Sequence, residues 1–389
     1  MTSAAAPLTF SLNPPLNTCL LTTTPTHCTI TSLATSSTYS HTPSLFTPLL
    51  TLPLPTPLAP PISAAMLLET SLLALSSTRT LHIINAATSS TVFSTTFNDT
   101  VRGISISRTN AVVLTGPAQG GTETHDTTMV RPDPRGEHTG VKESDEFELH
   151  FFSTADMKRT ATMAIGSTGR GGMPCSPGGT VTNSKYPPVY TVTPPEQDTT
   201  TRLSISRDVE YLAMTTANAS PGHVSLYSLA AGLPPALVGS GKLHLSPIAC
   251  LTLTQGVRNN DNVGLLASCG ASGTSVVLTC TPSMTPYGRL TRGATVCRIF
   301  NLSFSGSERM VAASGGNGTI HVWKVAKEGG RSFLKVKSGY EVGERYVVAF
   351  SEKEGMERVV GVSEKGRAKV WEMGADGTTC VGVGEEDIG

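Results

Sequence analysis

The segment Leu290–Val325, LTRGATVCRIFNLSFSGSERMVAASGGNGTIHVWKV, contains the pattern of turns and apolar runs that decides the fold. A Leu-Thr-Arg-Gly turn leads into the first run and a Ser-Gly-Ser turn into the second. An Asn-Gly turn leads into the third run, which reaches Trp323. Short strands joined by tight turns in this order are typical of one blade of a β-propeller.

The region around this segment is strongly basic, although the chain as a whole has a formal net charge of 0. Residues 289–337 contain nine basic residues and two acidic ones, Glu308 and Glu328, so their charge is +7 and the rest of the chain sums to −7. The nine basic residues are Arg289, Arg292, Arg298, Arg309, Lys324, Lys327, Arg331, Lys335 and Lys337. A positive patch on an acidic body predicts an anionic partner at one face.

The composition favours many short strands within one domain. The 389 residues include 38 Gly and 26 Pro, and the long Leu/Ala/Glu/Lys stretches that are typical of helices are missing. We predict an all-β fold, a single seven-bladed β-propeller of the WD-repeat type spanning residues 1–389, with its first blade built from residues 7–65. The eight cysteines form no CxxC pair, which predicts free thiols in a reducing compartment.

Four segments interrupt or flank the strand pattern. Residues 116–145 and 166–201 are polar or rich in Gly, Pro, Ser and Thr, which predicts disordered loop inserts. Residues 375–389 are acidic and Gly-rich, which predicts a flexible tail. Residues 43–68 are apolar and precede Glu69, the first charged residue, but they contain seven prolines. A membrane-spanning helix would lose too many hydrogen bonds there, so we predict an extended Pro-rich loop between strands.

The ordered motifs of the basic region resemble the core signature of the PROPPINs, seven-bladed propellers that bind phosphoinositides and many of which act in autophagy. The matching positions are Leu290-Thr291-Arg292-Gly293, Ile299-Phe300, Ser314 and Gly318-Thr319-Ile320-His321. Further likeness to blades two, four and five begins at Ala65, Tyr211 and His244. The resemblance covers roughly residues 65–375 and is weak in the first 60 residues.

The resemblance implies two lipid pockets, one on each side of a strand that carries two adjacent arginines. It places Arg292, Ser314, Thr319 and His321 in one pocket, and His244, Ser268 and Thr274 in the other. The planar guanidinium group of arginine suits phosphate because it donates two parallel hydrogen bonds while neutralising charge.

Thr291 stands where the family has the first of its two arginines. Arg289 lies two residues earlier, hence on the same strand face and about 7 Å away, and our hypothesis is that it substitutes. The alternative interpretation of these residues is structural, with arginine in a solvated turn and His321 as a hydrogen-bond partner between strands.

The loop after Val325 carries apolar side chains among basic ones. Phe333 and Leu334 lie among Arg331, Lys335 and Lys337. The corresponding family loop inserts into the bilayer, so the resemblance implies a short membrane-insertion loop here. The alternative is that Phe333 and Leu334 begin the outer strand of blade six.

Together these features predict a non-catalytic protein without a cofactor or a metal, because no hydrolase, metalloprotease, kinase or phosphate-loop motif is present. By resemblance, its partners are membranes bearing phosphatidylinositol 3-phosphate or 3,5-bisphosphate and the lipid-transfer or conjugation machinery of autophagy. The expectation is a monomer that binds no nucleic acid. It is expected in the cytoplasm and peripherally on autophagosome precursors, endosomes or the vacuole. The alternatives are a WD-repeat scaffold with degraded lipid pockets and, more remotely, a propeller exchange factor of the secretory pathway.

Overall fold

The computed structural model of the chain describes residues 9–12, 19–23, 27–32, 47–53, 63–67, 71–107, 109–116, 147–165, 203–205, 211–215, 222–229, 235–254, 264–353, 356–363, 365–374 and 379–387. In these residues the regular structure is entirely β, with 29 strands in seven sheets. The predicted inserts, 116–145 and 166–201, lie outside the described residues, apart from Gly116 at the end of a strand.

The strands follow one another along the chain in groups of four. Blade one consists of β1 (Thr9–Leu12), β2 (Cys19–Thr23), β3 (His27–Ser32) and β4 (Thr47–Pro53). Blade two consists of β5 (Ser63–Leu67), β6 (Leu72–Ser76), β7 (Thr80–Asn85) and β8 (Ser90–Thr96). Blade three consists of β9 (Thr100–Ile106), β10 (Asn110–Gly116), β11 (Phe147–Ser153) and β12 (Arg159–Ile165). Blade four consists of β13 (Leu203–Ile205), β14 (Tyr211–Thr215), β15 (His223–Ser228) and β16 (Ala236–Lys242).

The last three blades carry the basic region. Blade five consists of β17 (Ile248–Leu253), β18 (Gly264–Gly270), β19 (Ser275–Thr281) and β20 (Pro286–Thr291), with β24 (Gly330–Arg331) added at its outer edge. Blade six consists of β21 (Ile299–Phe304), β22 (Met310–Gly315), β23 (Thr319–Lys324) and β25 (Leu334–Lys337). Blade seven consists of β26 (Tyr346–Lys353), β27 (Met356–Ser363), β28 (Arg367–Met373) and β29 (Cys380–Asp387).

The seven sheets are arranged as the blades of a propeller, as predicted. Within each blade the four consecutive strands pair antiparallel in chain order. The first strand of each blade contacts the first strand of the next, from blade one through blade seven. Alternate residues of the central strands face the two neighbouring blades, so both faces are apolar, and the core consists of the layers between blades.

The layer between blades five and six positions the candidate site. Leu278 and Leu290 from blade five pack there against Val311, Ala313 and Trp323 from blade six. Trp323 is among the largest side chains that are fully buried in the described chain. Residues that project from blades five and six toward each other, past the end of this apolar layer, therefore meet at the junction of the two blades.

Two predictions about irregular segments are wrong. The predicted flexible tail contains β29, which pairs with β28 over its length, and Lys369 holds Glu385 at 2.8 Å across this pair. Glu385 of the tail thus has a cationic partner on the neighbouring strand. The Pro-rich segment contains β4, where Pro48 and Pro53 are tolerated because this strand forms the outer edge of blade one.

The described residues bear on two further expectations, that no helix spans a membrane and that the cysteines are free thiols. The described residues contain no helix that is long and apolar enough to cross a membrane. Six cysteines in the described ranges are free thiols, and burial raises the pKa of Cys28 to about 12. The expectation of free thiols is therefore met for these six.

Candidate functional site

The outer strand of blade five, β20, presents its last residues alternately to two neighbouring blades. Arg289 pairs across the sheet with Val277, which in turn pairs with Ser268, so these three share the face toward blade four. Leu290 belongs to the layer with blade six, and Arg292, two residues further on, continues that side. The predicted separation into two sites, one on each side of this strand, therefore matches the geometry.

The junction of blades five and six, called site 5/6, is defined by Arg292, Thr319, His321 and Lys335. The half-buried Arg292 donates from Nε to the carbonyl oxygen of Gly273 at 2.6 Å and from Nη2 to that of Thr295. These bonds hold the guanidinium group at the end of the blade. They involve two of its five N–H groups, and no ion pair of Arg292 occurs among the described residues.

His321 lies at the centre of site 5/6 and is 3% exposed. Its Nδ1 lies 3.2 Å from Ser332 Oγ, and its ring stacks on Trp323 with a centroid separation of 5.7 Å. Its Nε2 is buried and has no hydrogen-bond partner among the described residues. Such an atom is costly to leave unpaired, so it marks a place where a ligand would supply the missing partner.

The electrostatic environment of site 5/6 is cationic. The pKa of His321 is lowered to about 4, mainly by burial and in smaller part by the charges of Arg292 and Lys335. The imidazole is therefore neutral near pH 7 while two permanent cations lie close to it. An anion bound among them would counter the effects of these two charges and raise the pKa of His321.

Thr319 and Ser314 lie on opposite faces of blade six. Thr319 shares the face of His321, and its Oγ1 donates to Asn317 Oδ1 at 2.6 Å. Ser314 pairs with Ile320, which packs toward blade seven, so Ser314 points away from Arg292. The prediction that Ser314 shares a pocket with His321 is wrong, because the two are offset by one residue in register. On the face toward blade seven, Ser314 Oγ is fully buried and finds no hydrogen-bond partner within the described ranges.

The junction of blades four and five, called site 4/5, is defined by His244, Ser268, Ser275 and Arg289. His244 Nε2 lies 3.0 Å from Ser268 Oγ. The pKa of His244 is lowered to about 4, because burial and, to a smaller extent, the charge of Arg289 outweigh the opposing effect of a hydrogen bond with Ser268. The exposed Arg289 donates from Nη1 to Ser275 Oγ at 3.3 Å. His244, Ser268 and Arg289 therefore come together as predicted.

Thr274 does not join this group by its side chain. Its Oγ1 lies 3.3 Å from Ser272 Oγ, and its carbonyl oxygen accepts the N–H of Arg292 at 2.9 Å. Thr274 thus supports the backbone of Arg292. The prediction that Thr274 lines the pocket of His244 is wrong, because Thr274 instead supports Arg292 at the boundary of site 5/6.

The predicted membrane-insertion loop of blade six is folded against the protein. Leu334 begins the outer strand β25 and is buried in the layer toward blade seven, so the prediction that it enters a membrane is wrong. Phe333 is partly buried against the same layer, beneath Lys324 Nζ at 5.4 Å from its ring centroid. Arg331, Lys335 and Lys337 remain exposed. The alternative that Phe333 and Leu334 lead into the outer strand is therefore the correct one.

A third junction, between blades six and seven, was not recognised in the sequence. Arg367 and Lys369 of β28 occupy the places that Thr319 and His321 occupy in β23, as GRAKVW at 366–371 matches GTIHVW at 318–323. Both cations are already paired within the chain. Arg367 donates to Glu344, and Lys369 Nζ lies 2.8 Å from Glu385. This junction, called site 6/7, is thus neutralised by its own carboxylates.

Three exposed apolar side chains lie at one end of these blades. Leu245, Val296 and Val342 are 89%, 71% and 83% exposed, more than any other large apolar residue in the described ranges. Each lies in the connection from the outer strand of one blade to the first strand of the next. Leu245 follows His244, and Val296 follows Thr295, the acceptor for Arg292. The apolar connections and both sites therefore occupy the same end.

Comparison with solved structures identifies similar propellers. Kluyveromyces lactis Hsv2 has a TM-score of 0.64 at 14% identity and covers 98% of this chain and 99% of its own. KlAtg21, in complex with the coiled coil of AgAtg16, has a TM-score of 0.66 at 16% identity and covers 99% of this chain and 100% of its own. Hsv2 and Atg21 are PROPPINs. The resemblance seen in the sequence is confirmed at the level of the fold.

Other comparisons extend or limit this result. The β-propeller domain of Cps50 (Swd1) from Myceliophthora thermophila has a TM-score of 0.58 at 9% identity and covers 93% of this chain and 94% of its own. No family model matches the chain, and no curated protein matches it in sequence. At these identities the likeness establishes the β-propeller fold alone.

Proposed function

We propose that the protein is a non-catalytic propeller that binds membranes through phosphoinositide headgroups, phosphatidylinositol 3-phosphate or 3,5-bisphosphate. The observation that carries this proposal is the geometry of site 5/6. Arg292 and Lys335 lie close enough to His321 to lower its pKa, and the part of the chain that the structure describes offers the buried His321 Nε2 no hydrogen-bond partner. A headgroup phosphate would satisfy that nitrogen and neutralise both cations, which is the chemistry such a site favours.

The surroundings of the site support a membrane as the source of the phosphate. Leu245, Val296 and Val342 protrude at the same end as the two sites, and exposed apolar side chains beside cations suit the boundary of an anionic leaflet. Neither part alone gives stable attachment, but several weak contacts on one surface act together through effective concentration.

The biological setting follows from the PROPPIN-like fold. KlAtg21 was solved with the coiled coil of AgAtg16, so a neighbour with the same fold binds a protein of that kind. We extend this to the present chain as an adaptor in autophagosome formation or in endosome or vacuole membrane dynamics. It would be a cytoplasmic monomer that recruits lipid-transfer or conjugation proteins to those membranes.

One observation favours a second candidate function. The guanidinium group of Arg292 donates to the carbonyl oxygens of Gly273 and Thr295, so it also stabilises the end of blade five. If this is its whole role, the chain is a WD-repeat scaffold that binds only proteins.

Vesicle flotation separates the two functions. The vesicles contain phosphatidylcholine alone or with phosphatidylinositol 3-phosphate, 4-phosphate or 3,5-bisphosphate, and the variants are Arg292→Ala and, as a control of equal charge, Arg309→Ala. We expect selective binding to the 3-phosphorylated lipids, weakened roughly tenfold or more by Arg292→Ala because charge-assisted hydrogen bonds are lost. Absence of binding by the unaltered protein, or equal binding by both variants, would favour the scaffold.

A further inference from the structure

We propose that Arg331, from the connection between β23 and β25 of blade six, is a headgroup-binding residue of site 4/5. This inference rests on the proposed function. It adds a residue of blade six to the site between blades four and five. The ligand is the phosphorylated inositol headgroup of a lipid. Arg331 would supply the cation at a position where the strand of blade five has the neutral Thr291.

The pairing of β24 places Arg331 on the correct face. β24 pairs in parallel with β20, in the register Leu290 with Gly330 and Thr291 with Arg331. Register partners in a sheet project to the same face, and adjacent strands lie about 4.8 Å apart. Thr291 pairs with Ser275, which accepts from Arg289, so Arg331 shares the face of site 4/5.

The connection is fixed along β20 by close backbone contact. Gly329, with φ of +71°, lies so near the strand that a Cβ atom there would be 2.1 Å from the carbonyl oxygen of Arg289. A Cβ at Gly288 would be 2.5 Å from the carbonyl oxygen of Ala326. These two glycines let the segment lie flat on the strand, so Arg331 has a defined position.

Successive residues of this segment project alternately toward site 4/5 and site 5/6. The N–H of Ser332 donates to the carbonyl oxygen of Thr291, and its hydroxyl group lies 3.2 Å from Nδ1 of His321 in site 5/6. Arg331, the preceding residue, is exposed and projects to the other side. A segment that the sequence suggested would enter a bilayer therefore forms part of the wall of two sites.

Site 4/5 needs a further cation to hold a phosphorylated ring. Its histidine, His244, is neutral near pH 7 because burial lowers its pKa to about 4, and Arg289 is the cation that acts on it. Arg331 would place a second guanidinium group beside Thr291, so that two cations flank the Thr291 hydroxyl group. Two guanidinium groups match the several phosphate oxygens of a 3-phosphorylated headgroup.

The test counts bound headgroups per chain by native mass spectrometry, with soluble dibutanoyl phosphatidylinositol 3-phosphate as the probe. We expect two for the unaltered protein, one for Arg331→Ala, one for Arg292→Ala and none for the double variant. Arg309→Ala, an equal loss of charge on an exposed residue between β21 and β22, should retain two. Thr291→Arg should restore the second headgroup to Arg331→Ala, because it returns a cation to the same face.

The outcomes distinguish this inference from the proposed function. If the unaltered protein binds two headgroups and Arg331→Ala also binds two, Arg331 has no role while the function stands. If Arg331→Ala loses a headgroup that Thr291→Arg does not restore, the loss is structural and the inference is overturned. If the unaltered protein binds none, the proposed function fails and the inference fails with it. Equal occupancy by inorganic phosphate would overturn the assignment to an inositol headgroup.

Discussion

Trp323 Nε1 donates a hydrogen bond to the carbonyl oxygen of Thr291 at 3.1 Å, which joins the third strand of blade six to the outer strand of blade five. The donor lies beneath His321, on whose ring the indole stacks, and the acceptor immediately precedes Arg292. This bond therefore helps to set the distance between His321 and Arg292, two of the four residues that define site 5/6.

Replacing Trp323 with Phe should loosen this junction. The change removes the hydrogen bond and part of a fully buried ring, so the free energy of unfolding should fall by on the order of 2 kcal/mol. Urea denaturation measures the loss, and vesicle flotation should show weaker binding at temperatures where the variant is still folded. Binding equal to that of the unaltered protein would mean that the bond does not position Arg292.

The stability of the protein should fall in acid because of its buried histidines. His150, His244 and His321 each have a pKa of about 4 in the folded chain. An unfolded histidine titrates near 6.5. Between these values the unfolded chain binds protons that the folded chain does not, so stability is complete above about pH 6.5 and is lost as the pH falls toward about 4.

Thermal melting across this pH range checks the expectation, with His321→Gln as the comparison. Glutamine does not titrate, so the variant should lose less stability than the unaltered protein between about pH 7 and 5. A parallel decline in both proteins would show that His321 is not protonated on unfolding in this range.

Lys369 should contribute nothing to anion binding, although it stands in blade seven where His321 stands in blade six. Its charge is taken up by Glu385 at 2.8 Å. Lys369→Ala should therefore bind phosphoinositide vesicles within about twofold of the unaltered protein, whereas Arg292→Ala should not. A strong loss of binding in Lys369→Ala would mean that site 6/7 opens to a ligand.

The apolar connections should matter for vesicles and not for soluble headgroups. Replacing both Leu245 and Val296 with Asp should abolish most flotation, because each change removes apolar contact and adds charge that an anionic leaflet repels. Binding of dibutanoyl phosphatidylinositol 3-phosphate should be retained. Val92→Asp, at a partly exposed residue of blade two, is the matched control. Unchanged flotation of the double variant would place the membrane elsewhere.

Much of the fold could be predicted because each blade repeats a local pattern. Tight turns at fixed intervals and apolar alternation identify strands without knowledge of their partners, and both are clear from Leu290 to Val325. The sites could be predicted in part for the same reason. Arg289 and Arg292 are an odd number of residues apart, so their side chains project to opposite faces of the sheet.

The missed features depend on pairing between distant strands. Ser314 lies one register position from the face of His321, and sequence spacing alone does not reveal which residue of β23 it pairs with. The acidic tail looked unstructured because Lys369, the partner of Glu385, lies on β28 and not near Glu385 in the sequence. Leu334 looked available to a membrane because its apolar neighbours come from blade seven.

Thr291, the last residue of β20, and Arg292, which follows it, project to opposite sides, and this has a consequence for how the protein would bind a membrane. Consecutive residues of one strand cannot move independently, so ligands on its two sides would be held at a constant separation and orientation. If both sites bind headgroups as proposed, one chain would hold two neighbouring lipids at once, and its residence time on a membrane should rise steeply with the surface density of those lipids.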